Sequence, residues 1–260
     1  MEGSAVDPIE ILSSFELHEL VYQTLSFLNL PVGALEFDAS AVAASYAIRK
    51  IPHYLQALRQ FEDRRRSLGL QTRRELAAAE RHRSEDPDLA DRLRQEALMS
   101  MGDYEIQQHL FVVCAGQIDR LLTLAHRLAG VDLRPDAVAF LDSYRPLRNQ
   151  FEHLDEGLPG QERGGRLVLD VPGRMLLGLT DDGTGRITVR RGGEDVVAEV
   201  NEHGVQQFER IVTESFDDIK VACVGYLEQF FQEHPEVAAR AHLIRPIVNQ
   251  RILEDGGEFA

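Results

Sequence analysis

Between Asn201 and Glu233 the chain carries apolar residues at Val205, Phe208, Ile211, Val212, Phe216, Ile219, Cys223 and Leu227. Steps of three and four place these side chains on one face of a helix, and a stripe that long is stable only when buried. Pro235 ends it. The same period appears earlier, through Leu110, Val113, Cys114, Ile118, Leu121 and Leu124. That second helix is expected to begin at Asp86-Pro87, where Asp caps and Pro takes the first helical position. It should be interrupted near Gly102 and closed by Gly130. Asp7-Pro8-Ile9-Glu10 repeats the start signal, giving a helix to about Asn29 that Pro31 and Gly33 end. A helix from Ala39 to Ser67, with Gly69 as its stop, is followed by a short exposed helix over 71–84. The helix holding Arg148 is expected over 135–156, and a last one over 236–253.

Residues 157–200 differ in character. Turn pairs (Pro172-Gly173, Asp181-Asp182-Gly183, Gly192-Gly193) separate short apolar or alternating runs at 167–171, 175–179, 187–189 and 196–200. This pattern predicts a small antiparallel meander of three or four strands. The fold expected is therefore mainly α, an antiparallel helical bundle with a β-meander insertion at about 160–200. An N-terminal helical region, 1–85, would pack on a bundle formed by 86–260.

Composition narrows the class. The chain has 260 residues, 43% of them hydrophobic and 27% charged, as expected of a soluble globular protein with a real core. The two cysteines, Cys114 and Cys223, form no C-x-x-C pair, which fits a reducing cytoplasm and small buried side chains. Residues 1–10 show no basic segment followed by an apolar one, so no signal peptide is expected. No apolar run reaches about 18 residues, so no membrane partner is expected. The formal charge of −15 opposes general binding to nucleic acid. Yet residues 49–83 hold ten Lys and Arg against four acids, a local net of +6. Arg64, Arg65 and Arg66 within that stretch are either a solvated helix surface or a phosphate-attracting stripe.

One segment carries most of the chemical content. Arg148-Asn149-Gln150-Phe151-Glu152-His153 brings a permanent cation, an amide and a titratable imidazole within six positions. Asn is rare here, with only Asn29, Asn149, Asn201 and Asn249, so an Asn directly after the Arg is informative. On a regular helix Arg148 and His153 lie about 140° apart, whereas Asn149 and His153 share a face. The amide can orient the imidazole while the guanidinium arrives from the side or from a second copy of the chain. Pro146 leaves two local readings open. It either kinks a continuing helix, or starts a new one whose free N–H groups would favour a phosphate near Arg148.

These residues suit cleavage of RNA by its own 2′-hydroxyl. His153 would move protons, Arg148 would hold phosphate oxygens, and the tethered nucleophile removes the need for a metal. Tyr144 and Arg145, just upstream, and Arg64, Arg65 and Arg66 are the candidate substrate contacts. A plain structural reading competes. Arg148 and Glu152 could be an intrahelical ion pair, and His153 could end a helix as a favourable cation. No cofactor and no metal is expected: none of the nine His follows a Glu by three residues, and no H-E-x-x-H or phosphate-loop motif occurs.

Arg-Asn-x-x-x-His within a helical chain resembles the signature of HEPN domains, found in many prokaryotic toxins and phage-defence proteins. The resemblance covers the motif and the helices around it, roughly 100–155 and 202–233, and does not extend to 1–85 or 160–200. It implies an all-helical bundle that forms a homodimer through the motif helices, with two motifs facing each other. It also implies a metal-independent endoribonuclease in which Arg148 and His153 are catalytic and Asn149 is the polar residue after the Arg. RNA is then the substrate, and a toxin role adds an antitoxin partner such as a nucleotidyltransferase-like protein. The alternative expectation is a non-catalytic helical module that dimerises through the same helices.

Overall fold

The computed structural model describes residues 8–29, 39–152, 185–191 and 194–239. In chain order these form α1 (Pro8–Ser13), α2 (Leu17–Asn29), α3 (Ala39–His82), α4 (Pro87–Ala129) and α5 (Pro135–Glu152). A hairpin of β1 (Arg186–Arg191) and β2 (Glu194–Glu199) follows, then α6 (Glu202–Glu233) and the single turn α7 (Pro235–Ala238). The protein is mainly α with a small antiparallel β element. Of the expected strand runs, 187–189 and 196–200 fall in or beside the hairpin, while 167–171 and 175–179 lie outside the described residues. The expected Asp7 cap and most of the 236–253 helix also lie outside them.

Several helix boundaries differ from expectation. The first helix breaks at 14–16, where Phe15 turns into the core and the Glu16 carbonyl accepts the Glu19 and Leu20 N–H groups, both at 3.0 Å. Gly69 does not stop α3, which continues to His82, nor does Gly102 interrupt α4. A single glycine costs a helix only about 1 kcal/mol, less than the flanking residues supply when packed. Pro146 lies inside α5, which selects the continuing-helix reading and places Arg148 in the interior rather than in a first turn.

The cap expected at Asp86 occurs, and Asn201 supplies one that the sequence reading did not assign. Asp86 Oδ1 accepts the Leu89 N–H at 3.0 Å, and Asn201 Oδ1 accepts that of Gly204 at 3.0 Å, so each satisfies an orphan donor at a helix start. Gly130, with φ +67°, closes α4 in a Schellman motif. Its N–H donates to the Arg127 carbonyl at 3.3 Å, and Val131 N–H donates to that of His126 at 3.0 Å.

Packing groups the described residues into two units. The first draws on 1–51, 121–133 and 212–260. Its core joins Leu12, Leu20, Val21 and Leu25 to Ile219, Cys223, Leu227 and Phe231 of α6, which recur every four residues. Ala41, Ala44 and Ala47 give α3 a narrow face that lets its backbone come close. Phe27 stacks on Phe230 with ring centroids 5.3 Å apart.

The second unit draws on 52–120 and 134–211. The turn at 83–86 joins α3 and α4 within it. Four aromatic rings form its centre: Phe111, Phe140, Tyr144 and Phe208, with Phe140 and Phe208 centroids 4.9 Å apart. The hairpin packs on α5. Its register pairs Ile187 with Ala198, both buried, so one face of the ribbon closes over the aromatic group. Gly185 carries φ +73°, and its carbonyl accepts the Val200 N–H at 2.7 Å, extending the ladder past the strand ends.

Candidate active site

α5 buries Ala137, Leu141, Tyr144 and Leu147. The 137-141-144 face continues to 148 at helical spacing. Arg148 therefore starts on the buried side of its helix, and its side chain is 15% exposed. Its stem lies over Gly116 of α4, where an added Cβ would come within 2.5 Å of Arg148 Cδ. Glycine at 116 leaves the space that the arginine stem fills. The guanidinium then reaches Asp119, one turn further along α4, with Nη1 3.8 Å from Oδ2.

Asp119 is itself buried, with its side chain 6% exposed. A buried carboxylate needs partners, and Arg145 supplies a two-point contact, Nε to Oδ2 at 3.1 Å and Nη2 to Oδ1 at 3.2 Å. Arg145 Nη1 also meets Asp142 Oδ1 at 2.5 Å. The hydrogen bond to Asp119 raises the Arg145 pKa above the ordinary guanidinium value, so this cation is permanent. Two guanidiniums thus converge on one buried carboxylate, with a second carboxylate at the edge.

The expected site residues separate in three ways. Arg148 and Arg145 come together on Asp119. Asn149 occupies a helical position in α5. His153 lies outside the described residues.

Two expected substrate contacts are corrected. Tyr144 is buried at 1% exposure, and its hydroxyl donates to the Glu199 carbonyl at 2.6 Å. Burial pushes its pKa upward. It ties α5 to β2 and has no surface for a phosphate. Arg65 is also buried, forking onto Glu62 at 2.6 and 3.1 Å and donating to the Tyr104 hydroxyl at 2.6 Å. Its neighbours Arg64 and Arg66 are exposed.

Gly116 and Asp119 escaped the sequence reading. Asp119 interrupts the apolar run of 110–124, and an acid inside such a run requires a cation from another element. That signal could have identified it, although not its partner.

Both cysteines are buried, and burial raises each thiol to about 11. They are protonated and unreactive at neutral pH. Among the described residues, no three His, Cys, Asp or Glu side chains gather as a metal-binding set, and no helix is long and apolar enough to cross a membrane.

A search of protein-family models, of curated proteins and of solved structures found no match to this chain.

Proposed function

We propose that the chain is a HEPN-like, metal-independent endoribonuclease of toxin or phage-defence type, acting as a homodimer. The observation that carries this reading is the fixed position of Arg148. The cation of the Arg-Asn-x-x-x-His segment rests on Gly116 and is held at Asp119. A guanidinium fixed before substrate arrives stabilises developing phosphorane charge without reorganising.

In the proposed reaction the RNA 2′-oxygen bonds to the adjacent phosphorus as the P–O5′ bond breaks. His153 accepts the 2′-hydroxyl proton and then returns it to the leaving 5′-oxygen. The products are a 2′,3′-cyclic phosphate and a 5′-hydroxyl. Arg148 offsets charge on the non-bridging oxygens.

The test is incubation of wild type and His153→Ala with structured RNA in EDTA. Cleavage by wild type alone, leaving cyclic phosphate ends, is expected. Absence of cleavage in both ends the enzyme reading.

A second reading has its own support. Leu98, Met99, Met101 and Ile106 are exposed along the first half of α4. Large apolar side chains exposed on one stretch of helix are a candidate association surface, and they favour a non-catalytic dimerisation module if the nuclease test fails.

A further inference from the structure

The second unit contains an open groove of about 570 Å³ that the motif does not use. α3 forms one wall through Arg66, Gly69 and Arg73, α4 adds Tyr104, and the cap and first turn of α6 add Asn201 and His203. The Tyr104 ring lies against Gly69, where an added Cβ would stand in ordinary contact with it at 3.4 Å. The buried Arg65–Glu62 pair sits in the same wall with its charges mutually offset.

Arg66 and Arg73 differ from Arg65. Both are exposed, and neither has a carboxylate partner among the described residues. Arg73 is oriented by donating to the Gly69 carbonyl at 3.2 Å. Seven residues apart, the two lie on the same helix face, separated by roughly 10 Å along the axis. That separation suits two successive anionic groups better than one. The α6 start adds the positive end of a long helix, and Glu202 is the acid at the rim. Residues 49–83 carry a formal +6 in a chain of −15, so net charge favours a polyanion along this stretch and opposes it over the rest of the sequence taken together.

We propose that this groove binds the phosphodiester backbone of a single-stranded RNA, with Arg66 and Arg73 each holding one phosphate. The proposal deepens the endoribonuclease reading and rests on it for the choice of RNA as the strand. The groove would hold substrate beside, not at, the scissile bond. Phosphate contacts carry no sequence information, so the groove sets affinity and register rather than target choice.

The test uses the full chain and a short fluorescent 2′-O-methyl RNA strand, whose blocked nucleophile cannot be cleaved. Binding is measured by anisotropy across a salt series for wild type, Arg66→Ala/Arg73→Ala, and Arg81→Ala/Arg92→Ala, a control removing two exposed arginines outside the groove. The groove pair is expected to lose about tenfold or more in affinity. Its salt slope should become shallower by about 1.4, two contacts at about 0.7 each. The control should keep both quantities near wild type. Wild-type binding by the groove pair, equal losses in the control, or no binding by wild type overturns the proposal.

Catalysis does not enter this assay, so the two readings fail separately. A protein that binds through Arg66 and Arg73 but cuts no RNA keeps the groove and loses the nuclease. A protein that cuts RNA and is indifferent to these substitutions does the reverse.

Discussion

Gly116 shows how one missing side chain can set the position of a charge on the next helix in sequence. The Arg148 stem occupies the volume that a methyl group at 116 would claim. Gly116→Ala therefore acts on Arg148 rather than on α4. Alanine gains about 0.5–1 kcal/mol of helix propensity over glycine. Displacing a long, flexible side chain costs a similar amount, so the unfolding free energy should change by less than about 1 kcal/mol in urea titration. RNA cleavage should respond very differently, since a shift of about 1 Å in a catalytic group can cost about a hundredfold in rate. Near-native stability with a hundredfold loss of cleavage is the expected pair of results. Unchanged cleavage would mean that the guanidinium position is irrelevant to the chemistry and that Arg148 serves only to neutralise Asp119.

Helices reveal a different level of control, through their ends. α4 finishes with Gly130 in the left-handed region, and His126 in the same last turn is 2% exposed with Nδ1 3.3 Å from the Val131 carbonyl. Burial lowers its pKa below 6.5, outweighing the Val131 contact and the nearby charges of Asp218 and Asp132. The sign of the effect on stability follows directly. As pH falls below 6.5, the unfolded chain takes up a proton that the folded chain refuses, so stability is full above that value and declines as pH falls toward the depressed folded value. His126→Asn keeps a donor for the carbonyl and removes the titration. Thermal melts of both proteins from pH 7.5 to pH 5 should show wild type losing more stability than the variant on acidification. Parallel losses would show that other groups dominate.

The same ends explain what could be read in advance. Asp86-Pro87 specifies its helix start locally, since cap and first-turn proline act within four residues. Gly69 and Gly102 misled because a glycine stops a helix only when it turns to positive φ itself, and tertiary contacts decide that. At 130 the turn occurs; at 69 the ring of Tyr104 lies over the glycine instead, and α3 continues. The candidate site divides along the same line. Arg148 stands out by its neighbours in sequence, whereas Asp119 and Gly116 belong to another helix and meet it only through packing. Arg65 and Tyr144 look like surface candidates by residue type; Glu62 stands at i,i+3 spacing to Arg65 and was legible as its partner, whereas no local pattern links Tyr144 to Glu199.

At the scale of the whole molecule the proposal depends on copy number. Arg148 and His153 diverge by about 140° on a regular helix, so one copy does not aim both groups at one phosphate. A two-fold dimer solves this by pairing the Arg of one copy with the His of the other, which creates two equivalent sites. This arrangement has a quantitative consequence for mixtures. Arg148→Ala and His153→Ala should each be inactive alone. In a mixed dimer, the intact His of the first faces the intact Arg of the second, so one of the two sites is complete and the other lacks both groups. Random exchange makes half of the dimers mixed, and half of the sites in those are complete, so the mixture should recover roughly a quarter of wild-type activity. Recovery should rise with time after mixing at the rate of subunit exchange, and covalent cross-linking of each variant beforehand should prevent it. Sites built within single copies give no recovery at any ratio. A mixture that remains inactive while sedimentation shows exchanged dimers would therefore exclude the shared site.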